Sequence, residues 1–190
     1  CFAIPKLLFT LVSLVGLAMR ALSPVAWRAA NVVALLIAVS VVGIVVYGLC
    51  AGWRRLTVKE VELRFADLPQ QFDGYRIVQM SDMHIGTYHA APEAVKRIVD
   101  EVNALQPDMI CFTGDLVNSS PLELDIFDDD LSRLKAKDGV FSIMGNHDYC
   151  MYNRHSSQTA CMKAIAEVKA RERRYGWQLL LNEHKVVHRG

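Results

Sequence analysis

An uncharged run of 25 residues constrains this chain more than any other feature of its sequence. Residues 29–53 contain no Asp, Glu, Lys or Arg, and arginines flank the run at Arg28 and Arg54. At a rise of about 1.5 Å per residue, a helix of this length crosses a hydrocarbon core of about 30 Å. Trp27 and Trp53 stand at its ends, where amphipathic rings suit the membrane interface. The run predicts a transmembrane helix in preference to the buried core helix of a soluble domain, which seldom extends so far without a charge.

A second apolar stretch precedes that run. Residues 7–19 are uncharged and lie between Lys6 and Arg20. This stretch has two interpretations: a second span that forms a helical hairpin with the first around Ser23-Pro24, or the core of a signal peptide. The longer run that follows favours the hairpin. We therefore predict a membrane region over residues 1–55 with one or two transmembrane helices.

Basic residues and cysteines both bear on the orientation of the chain in the membrane. In a hairpin, four basic residues share the side of the C-terminal region and two lie on the other side (Lys6, Arg54, Arg55 and Lys59 against Arg20 and Arg28). The positive-inside rule then places the C-terminal region in the cytoplasm. The five cysteines are odd in number and lack CxxC pairs. They therefore predict neither a disulfide framework nor a structural zinc site with cysteine ligands, and they indicate a reducing compartment.

From residue 56 onward the pattern becomes that of a soluble α/β domain. Short apolar runs alternate with amphipathic segments, which predicts strand–helix units and a largely parallel sheet. The predicted strands are residues 57–65, 75–80, 108–113, 140–144, 177–181 and 185–188, and the predicted helices are residues 92–105, 122–134 and 157–175. The net charge of +1 gives no overall field that would attract nucleic acid, and none is expected as a partner.

Polar side chains follow three of the predicted strands, at the point where each strand ends. Asp82 and His84 follow the first, Asp115 follows the second, and Asn146 and His147 follow the third. The intervals of 33 residues from Asp82 to Asp115 and 31 residues from Asp115 to Asn146 each fit one strand–helix crossover. Ligands of open α/β sheets bind at the carboxyl edge of the strands. We therefore expect the three clusters to converge on one crevice.

The residue types in these clusters indicate divalent metal ions. Carboxylates, imidazole and an amide oxygen, without sulfur, suit Mn²⁺, Fe, Zn²⁺ or Mg²⁺. A carboxylate can bridge two cations, and two cations about 3.5–4 Å apart can clamp a phosphate and lower the pKa of a shared water. Each residue alone would be explained by turn chemistry, because Asp and Asn are common after strands. Their ordered recurrence favours a site for two metals.

The three motifs resemble those of the calcineurin-like metallophosphoesterase family. The family pattern D-x-H, G-D-x-x-D and G-N-H-D/E is matched by residues 82–84, 114–118 and 145–148, with Asn in place of the last Asp of the second motif. The run 79–86 is similar to a membrane-associated bacterial branch of this family. The resemblance covers about residues 58–190.

This resemblance implies an α/β fold class in which N-terminal transmembrane helices precede part of a four-layer α/β/β/α sandwich. Residues 56–190 would supply the N-terminal part of the phosphoesterase domain, with the C-terminal part missing. The later family motif G-H-x-H is absent, and the remaining metal ligands are expected beyond residue 190. His184 and His188 lack that context, so we interpret them as ordinary residues. The bacterial branch implies an integral protein of the inner membrane, and the basic residues and cysteines place its domain in the cytoplasm.

The resemblance also implies a metal role for four residues. Asp82 and His84 would bind the first metal. Asp115 would bridge both metals, and Asn146 would bind the second. The nucleophile would be a hydroxide activated by the two metals, without a covalent intermediate.

Two further residues receive catalytic roles from the resemblance. His147 would protonate the leaving oxygen or stabilise charge in the transition state. Asn118 occupies the position where the family often has an Asp that orients this histidine. An amide can hydrogen-bond the imidazole, but it does not stabilise imidazolium as a carboxylate does.

Two functions of different kinds follow from these expectations. The first is metal-dependent hydrolysis of a phosphomonoester or phosphodiester at a membrane. The bilayer is then a partner, and a lipid-linked phosphate is one candidate substrate. The second is a membrane-bound domain that binds or senses a phosphate ligand without catalysis. Asn118 and the absent later histidines motivate this alternative.

Overall fold

A computed structural model describes residues 3–20, 23–50, 52, 56–152 and 157–189 of the protein. The chain divides into two compact units, Cys1–Glu60 and Val61–Gly190.

The first unit consists of two apolar helices, α1 (Ala3–Met19) and α2 (Pro24–Cys50). Within the described residues, α2 is the one helix with the length and composition to cross a membrane, whereas α1 has 17 residues and is shorter. The two helices pack closely near Gly16, where an added Cβ would lie 2.7 Å from Cβ of Ala30. A helix long and apolar enough to cross a membrane is thus present where one was predicted. The flanking residues 53–55 lie outside the described part of the chain.

The second unit is built on a four-stranded parallel sheet. Its strands are β1 (Ile77–Met80), β2 (Met109–Phe112), β3 (Val140–Ser142) and β4 (Gln178–Leu179), and they lie in the order β1-β2-β3-β4. The last residue of β1 pairs with the last residue of β2, and the last residue of β2 pairs with the last residue of β3. Because the first three strands end in register, the segments that follow them emerge side by side.

Three helices accompany this sheet: α3 (Glu93–Ala104), the single turn α4 (Asp128–Leu131) and α5 (Gln158–Arg174). Short 3₁₀ turns occupy Gln70–Phe72, Ile85–Tyr88 and Pro121–Leu124. Helix α3 buries Val95, Val99 and Val102, which recur on one face at helical spacing. The Ser157 hydroxyl caps α5 by accepting a hydrogen bond of 3.2 Å from the Ala160 N–H. Phe112 of β2 is buried in the hydrophobic core together with Val95 and Val99 of α3.

Three predicted elements differ in the structure. Residues 57–65 form no strand, and the alternating side chains of Val61, Leu63 and Phe65 are exposed. Alternation indicates a face that suits a sheet, but a strand also needs a neighbour, and this segment pairs with none of the described residues. Residues 185–188 likewise form no strand. The helix predicted over 122–134 divides into a 3₁₀ turn and α4.

The four-layer sandwich is present only in part. Within the described residues there is one sheet, whereas a four-layer arrangement requires two. The structure therefore shows a mixed α/β unit with a parallel sheet.

The structure contains a disulfide, although the cysteine pattern predicted no disulfide framework. Cys150 and Cys161 form a disulfide with Cα atoms 5.7 Å apart, which joins the segment after β3 to the first turn of α5. Cys50 and Cys111 are free. The prediction relied on the odd count and on local spacing, whereas the tertiary fold brings this pair together. The cysteine argument for a reducing compartment is lost with it.

Candidate metal centre

The segments after β1 and β2 continue to pair beyond the ends of the strands. The backbone N–H of Asp82 donates to the carbonyl of Gly114 at 3.0 Å, and that of His84 donates to the carbonyl of Asp115 at 3.1 Å. Asp82, His84 and Asp115 all have a positive φ, at 51°, 43° and 57°. Non-glycine residues rarely adopt this left-handed conformation, and it concentrates at functional sites. The two segments thus form a rigid rim at the carboxyl edge of the sheet.

Two glycines let the segments after β2 and β3 approach each other. An added Cβ on Gly114 would lie 2.5 Å from the backbone nitrogen of Gly145. One on Gly145 would lie 2.1 Å from Oδ1 of Asp115. Since no side chain fits in either place, only glycine permits this close approach.

Three predicted site residues meet at this edge. His84, Asp115 and His147 each offer one ligand atom, and these atoms all lie within 4.8 Å of one another. Asp115 is buried and the two histidines are half-buried. The two imidazole rings contact edge to face, with centroids 4.5 Å apart. Two imidazoles and a carboxylate, with no sulfur, form a donor set that fits Zn²⁺, Fe or Mn²⁺.

The other two predicted metal ligands, Asp82 and Asn146, are exposed. Oδ1 of Asp82 is 3.9 Å from Nε2 of His84, and its side chain is 64% exposed, so it is open to an incoming ion. Asn146 is exposed, and its amide makes no hydrogen bond with the described residues. The structure therefore places Asp82 beside His84, whereas the Asn146 amide has no hydrogen bond to the described residues that would orient it.

The orientation of His147 is set by a backbone carbonyl. Its Nδ1 lies 2.6 Å from the carbonyl oxygen of Asn118. A carbonyl only accepts hydrogen bonds, so Nδ1 carries the proton and Nε2 is the nitrogen left for a metal or a proton transfer. The backbone N–H of His147 donates to Oδ1 of Asp115 at 2.9 Å, which ties the histidine to the candidate bridging carboxylate.

The Asn118 side chain does not orient His147, contrary to the prediction. Its Nδ2 donates to Oγ1 of Thr87 at 3.2 Å instead. Because the contact to the imidazole comes from the main chain, Asn in place of Asp at this position does not remove it. The ring of Tyr152 also packs beside that of His147, with centroids 4.6 Å apart.

Asp148 is a residue whose role the sequence interpretation left open. Its buried carboxylate accepts four backbone hydrogen bonds of 2.8–3.1 Å, from Asp115, Leu116, Val117 and Gly145. Burial raises the pKa of this carboxyl, and the four N–H groups oppose that shift. Asp148 therefore clamps the segment after β2 to the segment after β3. The sequence signal for this role was the Asp at the last position of the G-N-H-D motif, residues 145–148.

Glu123 was missed altogether by the sequence interpretation. Its carboxylate accepts the backbone N–H groups of Asn118, Ser119 and Ser120 at 2.6, 3.0 and 3.0 Å. It closes a capping box with Ser120 at the turn Pro121–Leu124. The S-x-x-E pattern of residues 120–123 is a recognised sequence signal for this arrangement.

A parallel sheet with an Asp–His cluster at the carboxyl edge of its strands defines the class of this unit: an α/β domain with a candidate metal site. Residues 75–185 match the family model for calcineurin-like phosphoesterases. The chain belongs to this family, which confirms the membership predicted from the three motifs.

Several characterised or named proteins are similar to about half of this chain. A transmembrane protein with metallophosphoesterase domain from Danio rerio is 36% identical over 104 residues, which cover 55% of this chain and 24% of the relative. The UDP-2,3-diacylglucosamine pyrophosphatase LpxG of Chlamydia trachomatis is 38% identical over 91 residues, 45% of this chain and 27% of the relative. The uncharacterized metallophosphoesterase YkuE of Bacillus subtilis is 35% identical over 95 residues, 45% and 30% respectively. The chain thus spans less than a third of these relatives, and no solved structure matches it.

Proposed function

We propose that this chain is part of a membrane-bound enzyme that hydrolyses a phosphomonoester or phosphodiester with divalent metal ions. The observation that carries the proposal is the convergence of His84, Asp115 and His147 within 4.8 Å at the carboxyl edge of the sheet. In a chain of the calcineurin-like phosphoesterase family, this donor set supplies part of the ligands that such chemistry requires.

Two metal ions would be held by the residues of the three motifs. Asp82 and His84 are assigned to the first metal, Asp115 to the bridge, and Asn146 to the second metal. When bound, the two cations neutralise phosphate charge and lower the pKa of a water that attacks phosphorus. The buried Asp115 carboxylate suits the bridging role, because its Oδ1 is already oriented by the backbone N–H of His147.

His147 is assigned the role of proton donor to the leaving oxygen, which it fills when Nε2 is protonated; in the neutral ring, the Nε2 lone pair can bind a metal together with His84 and Asp115. The Nδ1–H of His147 is held by the carbonyl of Asn118, so the ring presents Nε2 in a fixed direction. The main chain of Asn118 acts as the positioning group. This arrangement removes one of the two grounds for a non-catalytic binding domain, the loss of an orienting Asp side chain; the other ground, the absent later histidines, is unaffected.

The substrate class is proposed to be a lipid-linked phosphate ester. One relative is named as a pyrophosphatase of UDP-2,3-diacylglucosamine, a lipid-linked molecule. This chain carries the apolar helix α2 ahead of its phosphoesterase unit. A membrane helix on the same chain raises the local concentration of a substrate that resides in the bilayer.

The domain organisation is also a proposal. Residues 1–55 would form the membrane region with one or two transmembrane helices, of which α2 is the one with the length and composition to span. Residues 56–190 would form the N-terminal part of a four-layer phosphoesterase domain. The exposed alternating segment 57–65 and the limited coverage of the relatives support the view that further chain completes this fold.

For orientation, we propose that the phosphoesterase unit faces the oxidising side of its membrane. The disulfide between Cys150 and Cys161 favours that side, because cytosolic thiols stay reduced. The positive-inside argument for a cytoplasmic domain depends on α1 as a second span, and α1 is the shorter helix. With α2 alone, the basic residues on its two sides are equal in number (Lys6, Arg20 and Arg28 against Arg54, Arg55 and Lys59).

The test uses full-length protein with Mn²⁺ and two generic substrates, p-nitrophenyl phosphate and bis(p-nitrophenyl) phosphate. Asp115→Ala should reduce kcat/KM by about 100-fold or more, since it removes the proposed bridge. The matched control is Asp129→Ala, because Asp129 is an exposed aspartate in α4, and it should keep wild-type activity. Equal activity in Asp115→Ala and wild type would refute the proposal.

A further inference from the structure

We propose that Glu123 is a positioning residue for His147 and acts through the main chain of residues 118–120. The inference rests on the proposed function in one respect only, that His147 belongs to the metal-dependent centre. Glu123 does not contact that centre. It lies in the turn Pro121–Leu124, on the segment that follows Asn118.

The Glu123 carboxylate accepts hydrogen bonds from three consecutive backbone N–H groups. Oε2 accepts from Asn118 at 2.6 Å, and Oε1 accepts from Ser119 and Ser120 at 3.0 Å each. Oε1 also accepts from the Ser119 hydroxyl at 3.1 Å. Hydrogen bonds to an ionised acceptor are the stronger kind. Four of them on one carboxylate hold the backbone of this segment in a single conformation.

One of these bonds acts directly on the peptide unit that contacts His147. The carbonyl of Asn118 and the N–H of Ser119 belong to the same planar peptide group and point in opposite directions. The N–H donates to Glu123, and the carbonyl accepts from Nδ1 of His147 at 2.6 Å. Glu123 therefore fixes the orientation of the Asn118–Ser119 peptide plane, and the carbonyl in that plane orients the His147 imidazole.

The surrounding residues are arranged to keep Glu123 in this place. An added Cβ on Gly86 would lie 2.8 Å from Oε2 of Glu123 and 2.8 Å from Oδ1 of Asn118. Because Gly86 has no side chain, the Glu123 carboxylate fits beside the segment that carries His84. Nε2 of His89 lies 2.9 Å from the carbonyl oxygen of Glu123 and anchors its backbone.

The consequence concerns the tautomer of His147. While the Asn118 carbonyl accepts from Nδ1, the proton stays on Nδ1 and Nε2 keeps its lone pair for the centre. Without the carboxylate, the Asn118–Ser119 peptide is free to rotate, and the proton distributes between both nitrogens. A second partner of a metal-ligating histidine commonly changes metal affinity by 10- to 100-fold.

The first experiment measures the tautomer in the metal-free full chain. The ¹⁵N shifts of the His147 ring, assigned by their loss in His147→Gln, should show a protonated Nδ1 in the wild type. In Glu123→Gln they should move towards the form with a protonated Nε2. Glu101→Gln, an exposed glutamate on α3, is the matched control and should leave the shifts unchanged. Unchanged shifts in Glu123→Gln would overturn the inference.

The second experiment separates positioning from simple loop stability. Calorimetry with Mn²⁺ should give about tenfold weaker binding for Glu123→Gln than for wild type. In a His147→Ala background the same substitution should have no further effect, because the residue it positions is gone. An equal loss in both backgrounds would show that Glu123 only stabilises the loop, which contradicts the inference. If the wild type binds no Mn²⁺, the proposed function fails, and the tautomer measurement alone decides the role of Glu123.

Discussion

The carboxylate of Asp148 accepts the backbone N–H of Asp115 at 2.8 Å, although the two residues follow different strands. The same Oδ2 accepts the N–H of Gly145 at 2.9 Å. One buried acid therefore joins the segment that carries the proposed bridging ligand to the segment that carries His147. The geometry of the centre depends on this clamp, because each strand alone fixes only one of the two segments.

Replacement of Asp148 by Asn should destabilise the fold and weaken metal binding. The amide retains one acceptor oxygen and directs an NH₂ group at N–H donors that would then be unpaired. Buried donors without partners cost about 1–3 kcal/mol each, so we expect a loss of about 2–3 kcal/mol in unfolding free energy. Urea denaturation of the full chain measures it. Asp129→Asn, at an exposed site, should change stability by less than about 0.5 kcal/mol; a similarly small effect of Asp148→Asn would contradict the clamp.

The disulfide predicts the redox state of two cysteines in cells. If the phosphoesterase unit faces the oxidising side, Cys150 and Cys161 should resist alkylation in intact cells and accept a maleimide–polyethylene glycol label only after reduction. Cys111 is a free thiol, so its label should not depend on the reductant. The Cys150→Ser, Cys161→Ser double variant should gain no label on reduction. Labelling of both cysteines before reduction would reinstate the cytoplasmic orientation that the basic residues predicted.

The sequence predicted those parts of the fold that depend on local pattern. The four strands β1–β4 and helices α3 and α5 follow from apolar periodicity and from turn residues at their ends. The convergence of His84, Asp115 and His147 follows from topology, because the ends of neighbouring parallel strands share one edge. Residues 57–65 were predicted wrongly, since periodicity does not report whether a partner strand is present.

The contacts that hold the centre together were less accessible from sequence. The clamps by Asp148 and Glu123 act on backbone N–H groups, which every residue except proline carries, so residue types in the contacted segments give no signal. The partner of His147 is a backbone carbonyl, which likewise leaves no signal in the sequence. The disulfide joins residues 11 positions apart across a loop and a helix start, and its formation depends on the tertiary fold.

Burial of Glu172 predicts a measurable pH dependence of stability. Its side chain is fully buried, with Oε2 2.5 Å from the hydroxyl of Ser142. Burial raises the pKa of Glu172 from 4.5 to about 7, although the bond to Ser142 opposes the shift. The folded state then holds a proton that the unfolded state releases between pH 4.5 and about 7. The contribution of Glu172 to the free energy of unfolding is therefore full below pH 4.5 and is lost as the pH rises through about 7.

Glu172→Gln isolates this contribution, because glutamine keeps the neutral form at every pH. We expect the variant to match the wild type near pH 4.5 and to exceed it by about 3 kcal/mol at pH 8. Urea denaturation at a series of pH values measures the unfolding free energies of the variant and the wild type. Their difference cancels the effects of the other titrating groups. Glu101→Gln, at an exposed position, should show no such divergence. Parallel pH profiles for Glu172→Gln and wild type would show that Glu172 ionises normally in the fold.

Addition of one methyl group at Gly145 should disrupt the centre without removing any candidate ligand. The new Cβ would lie 2.1 Å from Oδ1 of Asp115 and 2.4 Å from its backbone nitrogen, closer than any real contact. Overpacking of this kind costs about 1–3 kcal/mol, and Asp115 must move to relieve it. Calorimetry of Gly145→Ala should therefore show Mn²⁺ binding weaker by about tenfold or more, with a lower melting temperature. Gly48→Ala is the matched control, because an added Cβ there meets no atom within 4 Å. Binding of Mn²⁺ by Gly145→Ala with wild-type affinity would mean that Asp115 does not hold the metal, and the assignment of the bridge would have to be abandoned.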